Sequence, residues 1–261
     1  LLAQQTIVVE QPDGSNTRVF QNLDSAVTHL IPNDRVYIPN GLFALNTDIT
    51  TDGVAFYGVG YKLIDDNSKM TRITTSVYAM ADDLTFEGIW FGSHFFVNKH
   101  GADTLSTSVN QVTLLRCKVG NDFRSYPAID GTTPEFVFIE SVLSSVRFDE
   151  YSKVFATRCI FKSKVYYCEN SLFLNNIFLH RYGYAGSNTY YYPIEYSKSS
   201  VFSRNVFYAR SSTGTTNSYY APFRVCYYCA LSTFNNNLYK SYDFGGIVKK
   251  VTKKRLKITT N

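Results

Sequence analysis

Along most of the chain, apolar and polar residues alternate in short runs. This period of two predicts half-buried β-strands rather than helices. One pattern keeps returning: apolar, any, apolar, any, any, small or Asn, any, apolar. It stands at 54–61 (VAFYGVGY), 84–91 (LTFEGIWF), 112–119 (VTLLRCKV), 137–143 (VFIESVL), 154–161 (VFATRCIF), 172–179 (LFLNNIFL), 201–208 (VFSRNVFY) and 232–239 (STFNNNLY). The small or Asn position registers the copies at Gly58, Gly88, Cys117, Ser141, Cys159, Asn176, Asn205 and Asn236. The intervals of 30, 29, 24, 18, 17, 29 and 31 residues exclude a repeat of fixed length such as a propeller blade. The shortest leave no room for a crossover helix, so each turn consists of strand and bend alone. Coils stacked about 4.8 Å apart put the anchors in one column. There Asn bonds to the next coil, and Cys or Ser fills the same bend.

One segment breaks the rule. Residues 22–31 (NLDSAVTHLI) place apolar side chains at 23, 26, 27, 30 and 31, a helical stripe. It precedes Pro32 and the strand-like run 36–41, so it predicts a short helix over the open end of the first coil. The fold class expected is all-β: a single-stranded right-handed parallel β-helix (solenoid) with a short N-terminal capping helix. It forms one domain over 1–261, with coils at 36–245 and a cap or tail at 246–261.

The runs 20–30 (FQNLDSAVTHL) and 33–43 (NDRVYIPNGLF) resemble the opening segment of pectin lyase-like right-handed β-helix proteins, in which a capping helix leads into a first strand and a Gly turn. The copies at 58–61 and 87–91 resemble early coils of that superfamily. The resemblance spans nearly the whole chain at the level of pattern and carries no catalytic signature. It implies a bacterial exported protein, secreted or held at the cell surface. Its members include polysaccharide lyases, glycoside hydrolases and non-catalytic surface proteins, so fold analogy points towards carbohydrate.

Composition agrees with strand. The chain has 261 residues, 21 of them Tyr and 20 Phe, against a single Trp and 18% charged residues. The net charge of +5 is local: residues 249–257 (KKVTKKRLK) carry six positive charges and no acid. We read this run as a solvated terminal strand whose lysines discourage edge pairing. No RNA-binding signature accompanies it, so no nucleic-acid partner is expected. No run approaches the ~20 apolar residues of a transmembrane segment. Leu1 to Gln5 resembles the end of a signal peptide. Five cysteines do not describe a disulfide framework. Cys226 and Cys229 form a CxxC, but on a strand i and i+3 face opposite sides, and the histidines (His29, His94, His100, His180) are scattered. Neither a metal nor a cofactor is implied, and the oligomeric state is open.

Three loops, 121–127, 188–193 and 217–222, deliver tyrosine and then proline at the same corner, 14, 12 and 14 residues before their anchors. Tyr126, Tyr192 and Tyr220 are expected to form an exposed aromatic wall for sugar rings, or to cover their own loops. After each proline, with Ile129, Phe148, Ile194 and Val225 inward, an outward column reads Asp130, Asp149, Tyr166, Glu195 and Cys226. Arg147 and Arg224 precede it by two residues, and Arg124 lies in the first loop. Asp130 and Asp149 would stand roughly 5 Å apart and Asp149 and Glu195 roughly 10 Å. Those spacings suit acid/base work on a glycosidic bond, with an arginine opposing a sugar carboxylate in a lyase. His180 and Arg181 open a further loop near the same face. Three readings stay open: a carbohydrate-binding surface protein, a hydrolase or lyase using Asp130, Asp149, Glu195 and Arg147, and a non-catalytic adhesin or spacer.

Overall fold

The structure, a computed structural model, describes residues 6–60, 69–100, 103–104, 108–182, 192–211, 225–242 and 248–250. It is all-β and rich in parallel pairing, with one short helix. Strands pair with their counterparts one coil on, and three faces result. The first runs from Arg35–Tyr37 through Ala55–Tyr57, Leu84–Glu87, Gln111–Leu115, Glu135–Ile139, residues 153–157, Leu172–Leu174 and Val201–Ser203 to Thr233–Asn235. The second starts at Gly41–Phe43 and Thr71–Ile73 and ends at Leu238–Tyr242. The third starts at Val77–Ala79 and Phe95–Val97, continues through residues 123–125, 146–148, Val165–Glu169 and Ile194–Lys198, and ends at Cys226–Ala230.

Alternation puts one side of the stacked strands in the core, where phenylalanines stack coil upon coil. Phe173 lies 4.7 Å from Phe202, and Phe202 lies 4.7 Å from Phe234. Phe161, Phe178 and Phe207 form a second stack, at 4.8 and 4.7 Å. These ring separations equal the spacing of neighbouring strands, so the sheet geometry alone enforces them.

Corners are made by residues in the left-handed region. Arg116, Glu140, Arg158, Asn175, Arg204 and Asn236, all with φ between 52 and 57°, turn the chain from the first face to the second. The residue after each corner points inward and ties the coils together. The backbone N–H of Asn205 donates to Asn237 Oδ1 at 2.7 Å, that of Asn176 to Asn205 Oδ1 at 2.8 Å, and that of Cys159 to Asn176 Oδ1 at 2.8 Å. Cys117 N–H donates to Ser141 Oγ at 3.1 Å. The anchor column exists, but three of its expected members are displaced by one residue. Asn237 bonds and Asn236 turns, while Gly58 and Gly88 lie in register with the corner residue Arg116. Those glycines are required there: a Cβ on Gly58 would meet the Gly88 carbonyl oxygen at 2.5 Å. A second ladder precedes the first face, where Ser171 N–H donates to Ser200 Oγ at 3.1 Å and Ser200 N–H to Ser232 Oγ at 3.2 Å.

At the N-terminal end, Ile7–Glu10 pairs antiparallel with both Thr17–Phe20 and Arg35–Tyr37. The helix is Leu23–Thr28, shorter than the apolar stripe, because Pro32 disfavours helix in the residues leading into it. Asn22 caps it by accepting from Ser25 N–H at 2.7 Å, and Leu23, Ala26 and Val27 enter the core. At the other end Val248–Lys250 pairs antiparallel with Lys240 to Tyr242. This part of the basic run is thus a strand, as the sequence led us to expect, paired to the sheet along one side. Residues 1–5 and 251–261 lie outside the described residues.

Candidate functional site

The third face carries a row of aromatic and charged side chains on its outside. Its register fixes the outward row as Tyr78, Phe96, Arg124, Arg147, Tyr166, Glu195 and Tyr227. This differs from the expected column of Asp130, Asp149, Tyr166, Glu195 and Cys226. Asp130 is not in the strand at all. It sits exposed in a turn, where its carboxylate accepts from Thr132 N–H at 2.9 Å, a bond that holds its pKa below the usual value. Ile129, expected inward, is 58% exposed. Arg147 holds the row position on its strand, so Asp149 lies two residues past it, where residues 148–151 bulge out of register with the next coil. Cys226 takes the register of Ile194, leaving Tyr227 beside Glu195.

The carboxylates of this face are committed to cations. Asp149 accepts from Arg124 Nη2 at 2.7 Å and Nε at 3.1 Å, and from Arg147 Nε at 3.0 Å. Burial works against the charge on Arg124, but the hydrogen bond and charge of Asp149 outweigh it and raise its pKa. Glu195 pairs with Lys164, and here too desolvation is outweighed and the ammonium is stabilised. Lys99 and Arg124 stand over the Tyr126 ring, at 5.2 and 4.5 Å from its centroid.

The expected wall of Tyr126, Tyr192 and Tyr220 does not form from the two members that are described. Tyr126 is 7% exposed and Tyr192 6%. Tyr126 follows the strand end at Ser125, whereas Tyr192 precedes the strand start at Ile194, so they occupy opposite edges of the face. Tyr192 packs on Tyr227 with ring centroids 4.9 Å apart. Tyr220 and Arg224 lie outside the described residues, as do the side chains of His180 and Arg181.

A different tyrosine ladder takes that place. Tyr167, Tyr196 and Tyr228 occupy left-handed positions within three successive strands, with φ of 57, 56 and 52°. Tyr167 stacks on Tyr196 at 4.8 Å and Tyr196 on Tyr228 at 5.5 Å, both within 8° of parallel. Tyr151 meets Tyr167 edge-on at 6.0 Å, and Tyr227 meets Tyr228 at 4.2 Å. Both faces of Tyr196 are covered, so the ladder can offer ligands ring edges and phenolic oxygens. Tyr228 is 55% exposed. The hydrogen bond with Tyr228, followed by burial, pushes the Tyr227 phenol up to about 12.

The same bend explains the cysteines. A left-handed residue between them returns i and i+3 to one side, so Cys226 and Cys229 form a disulfide across Tyr228. Strand alternation, which would have separated them, does not survive the corner. Cys117, Cys159 and Cys168 are buried free thiols. Among the described residues no group of three or more His, Cys, Asp or Glu is arranged to hold a metal, and no helix is long and apolar enough to cross a membrane. No family model, curated protein or solved structure matches this chain.

Proposed function

We propose that this chain is a right-handed parallel β-helix of the pectin lyase-like kind, exported by a bacterium, that binds a carbohydrate polymer along its third face. In this reading the Leu23–Thr28 helix closes the N-terminal end. The observation that carries it is the continuous outward row from Tyr78 to Tyr227 with the tyrosine ladder beside it. Rows of phenols and cations repeating at coil spacing match a ligand that itself repeats. Aromatic edges and hydroxyls suit sugar rings, which present both C–H and O–H groups. Binding is favoured over hydrolysis or elimination because Asp149 and Glu195 each sit in an ion pair and Asp130 stands apart.

The test is a panel of neutral and acidic glycans examined by affinity electrophoresis, with reducing ends and unsaturated products measured alongside. Binding without product release is expected. Product release that disappears in Asp149→Asn would move the assignment to an enzyme.

A further inference from the structure

The last strand of the third face is closed by the Cys226–Cys229 disulfide, which spans Tyr228, the end ring of the ladder. The two preceding coils do without such a bond. There the same positions hold Val165 with Cys168 and Ile194 with Ser197, all buried. What differs is the support from the far side. Val165–Glu169 and Ile194–Lys198 each lie between two paired strands. The corners that follow them are held by the next coil as well: Asn170 N–H donates to Lys198 C=O at 3.0 Å and Ser199 N–H to Ala230 C=O at 2.9 Å. Among the described residues, Cys226–Ala230 pairs with Ile194–Lys198 alone. Tyr228 nevertheless keeps the left-handed conformation of Tyr167 and Tyr196, which is unfavourable for a residue with a Cβ. The covalent bridge holds this bend where a following coil holds the other two.

We propose that the Cys226–Cys229 bridge is a redox-sensitive clamp on the end of the tyrosine ladder, closed by oxidation and opened by thiols. Cys226 is partly exposed and Cys229 is buried, so an incoming thiolate attacks Cys226 Sγ and Cys229 Sγ leaves. A second thiolate resolves the mixed disulfide at Cys226. Two external thiols are thereby oxidised to one disulfide, and both cysteines end as protonated thiols. No internal thiol competes. Cys168 stands two coils from Cys229 in the same column, roughly 10 Å away and beyond disulfide reach. Cys117 and Cys159 belong to the anchor column at a different corner. With the bond open, pairing to Ile194–Lys198 alone holds the bend, and the strand relaxes towards simple alternation. Tyr228 then leaves Tyr196 and uncovers one of its ring faces. Reduction would so reshape the glycan surface at its terminal ring, a consequence that rests on the reading of the third face given above; the clamp itself does not.

Hydrogen exchange of the intact native chain, with and without dithiothreitol, tests this. In the reductant, amides of residues 226–230 should exchange at least about tenfold faster, while those of Leu172–Leu174 keep their rate. Iodoacetamide added afterwards should mark Cys226 and Cys229 and leave Cys117, Cys159 and Cys168 unmarked. Cys226→Ser/Cys229→Ser should show the fast exchange without any reductant. A bridge that opens only when the whole chain unfolds overturns the inference. So does a reduced, folded chain whose exchange and near-UV circular dichroism match those of the oxidised one. If the clamp opens as expected and the glycan panel yields no ligand, the clamp stands and the reading of the third face falls.

Discussion

At the scale of single residues, two kinds of side chain do most to define this molecule: buried amides that stitch coils together and stacked phenols at one corner. Asn205 accepts from Asn176 N–H through Oδ1 and donates from Nδ2 to Phe173 C=O at 3.0 Å. Asn205→Ala leaves both backbone groups buried without partners, at about 1–3 kcal/mol each. Urea denaturation should report that loss, while Arg204→Ala at the exposed neighbouring corner should shift the midpoint far less. On the ladder, Tyr196 has neighbours on both ring faces, so its hydroxyl and ring edge are what remain for a ligand. Tyr196→Phe is therefore expected to weaken glycan binding about 2- to 10-fold, the worth of one net hydrogen bond, with an unchanged melting temperature. The phenols also set an alkaline limit. Tyr196 is raised, by burial first and then by its neighbours, and Tyr227 reaches about 12. The unfolded chain loses these protons near the ordinary value of 10, before the folded one does. The stability these phenols contribute should thus be fully present below pH 10 and be lost between about 10 and 12. A denaturation series that is flat across that window would contradict the assigned environment. The ladder itself was not legible in the sequence. Tyrosine reads as a strand former, and its left-handed backbone at 167, 196 and 228 runs against its own propensity.

At the scale of elements, strand identity and the inward set were legible because period two survives wherever a strand is straight. Register was legible only in part. The run of three asparagines at 235–237 offers equivalent choices, and glycine suits both a corner and a tight approach, so the anchors slipped by one at Gly58, Gly88 and Asn236. Alternation makes Arg147 and Asp149 equally outward and does not say which of them meets Tyr166, so the column was set two residues late at Asp149. The cysteine columns offer a check on the register that was found. Burial pushes Cys117 and Cys159 up to about 12 and Cys168 to about 11. Native protein should leave all three unmodified by iodoacetamide at pH 8, and unfolding without reductant should expose all three. Labelling of Cys159 in the native state would mean that the inward column is misplaced. At the N-terminal end, Asn22→Ala should cost about 1 kcal/mol through the lost cap on the Leu23–Thr28 helix. Thermal melts of the pair would show it.

At the scale of the whole molecule, the three faces divide the chemistry. The first is apolar along its middle strands, and the third is a row of aromatic and charged side chains in which Asp149 and Glu195 are ion-paired. Sequence reasoning put Arg147, Tyr166 and Glu195 on one outward face, where they stand, and left Arg124 in a loop, whereas it joins the same row on the strand Lys118–Ser125. It misassigned the aromatic surface because tyrosine–proline loops look alike in sequence whichever end of a strand they join. The central claim is that the third face binds a glycan through the ladder and its terminal ring. Isothermal titration of the native chain and of Tyr196→Ala/Tyr228→Ala tests it most directly, using whichever soluble glycan the panel retains. The account predicts saturable binding that falls at least tenfold in the double variant, with circular dichroism unchanged. A panel that yields no ligand, or a folded double variant that binds like the native chain, would contradict it.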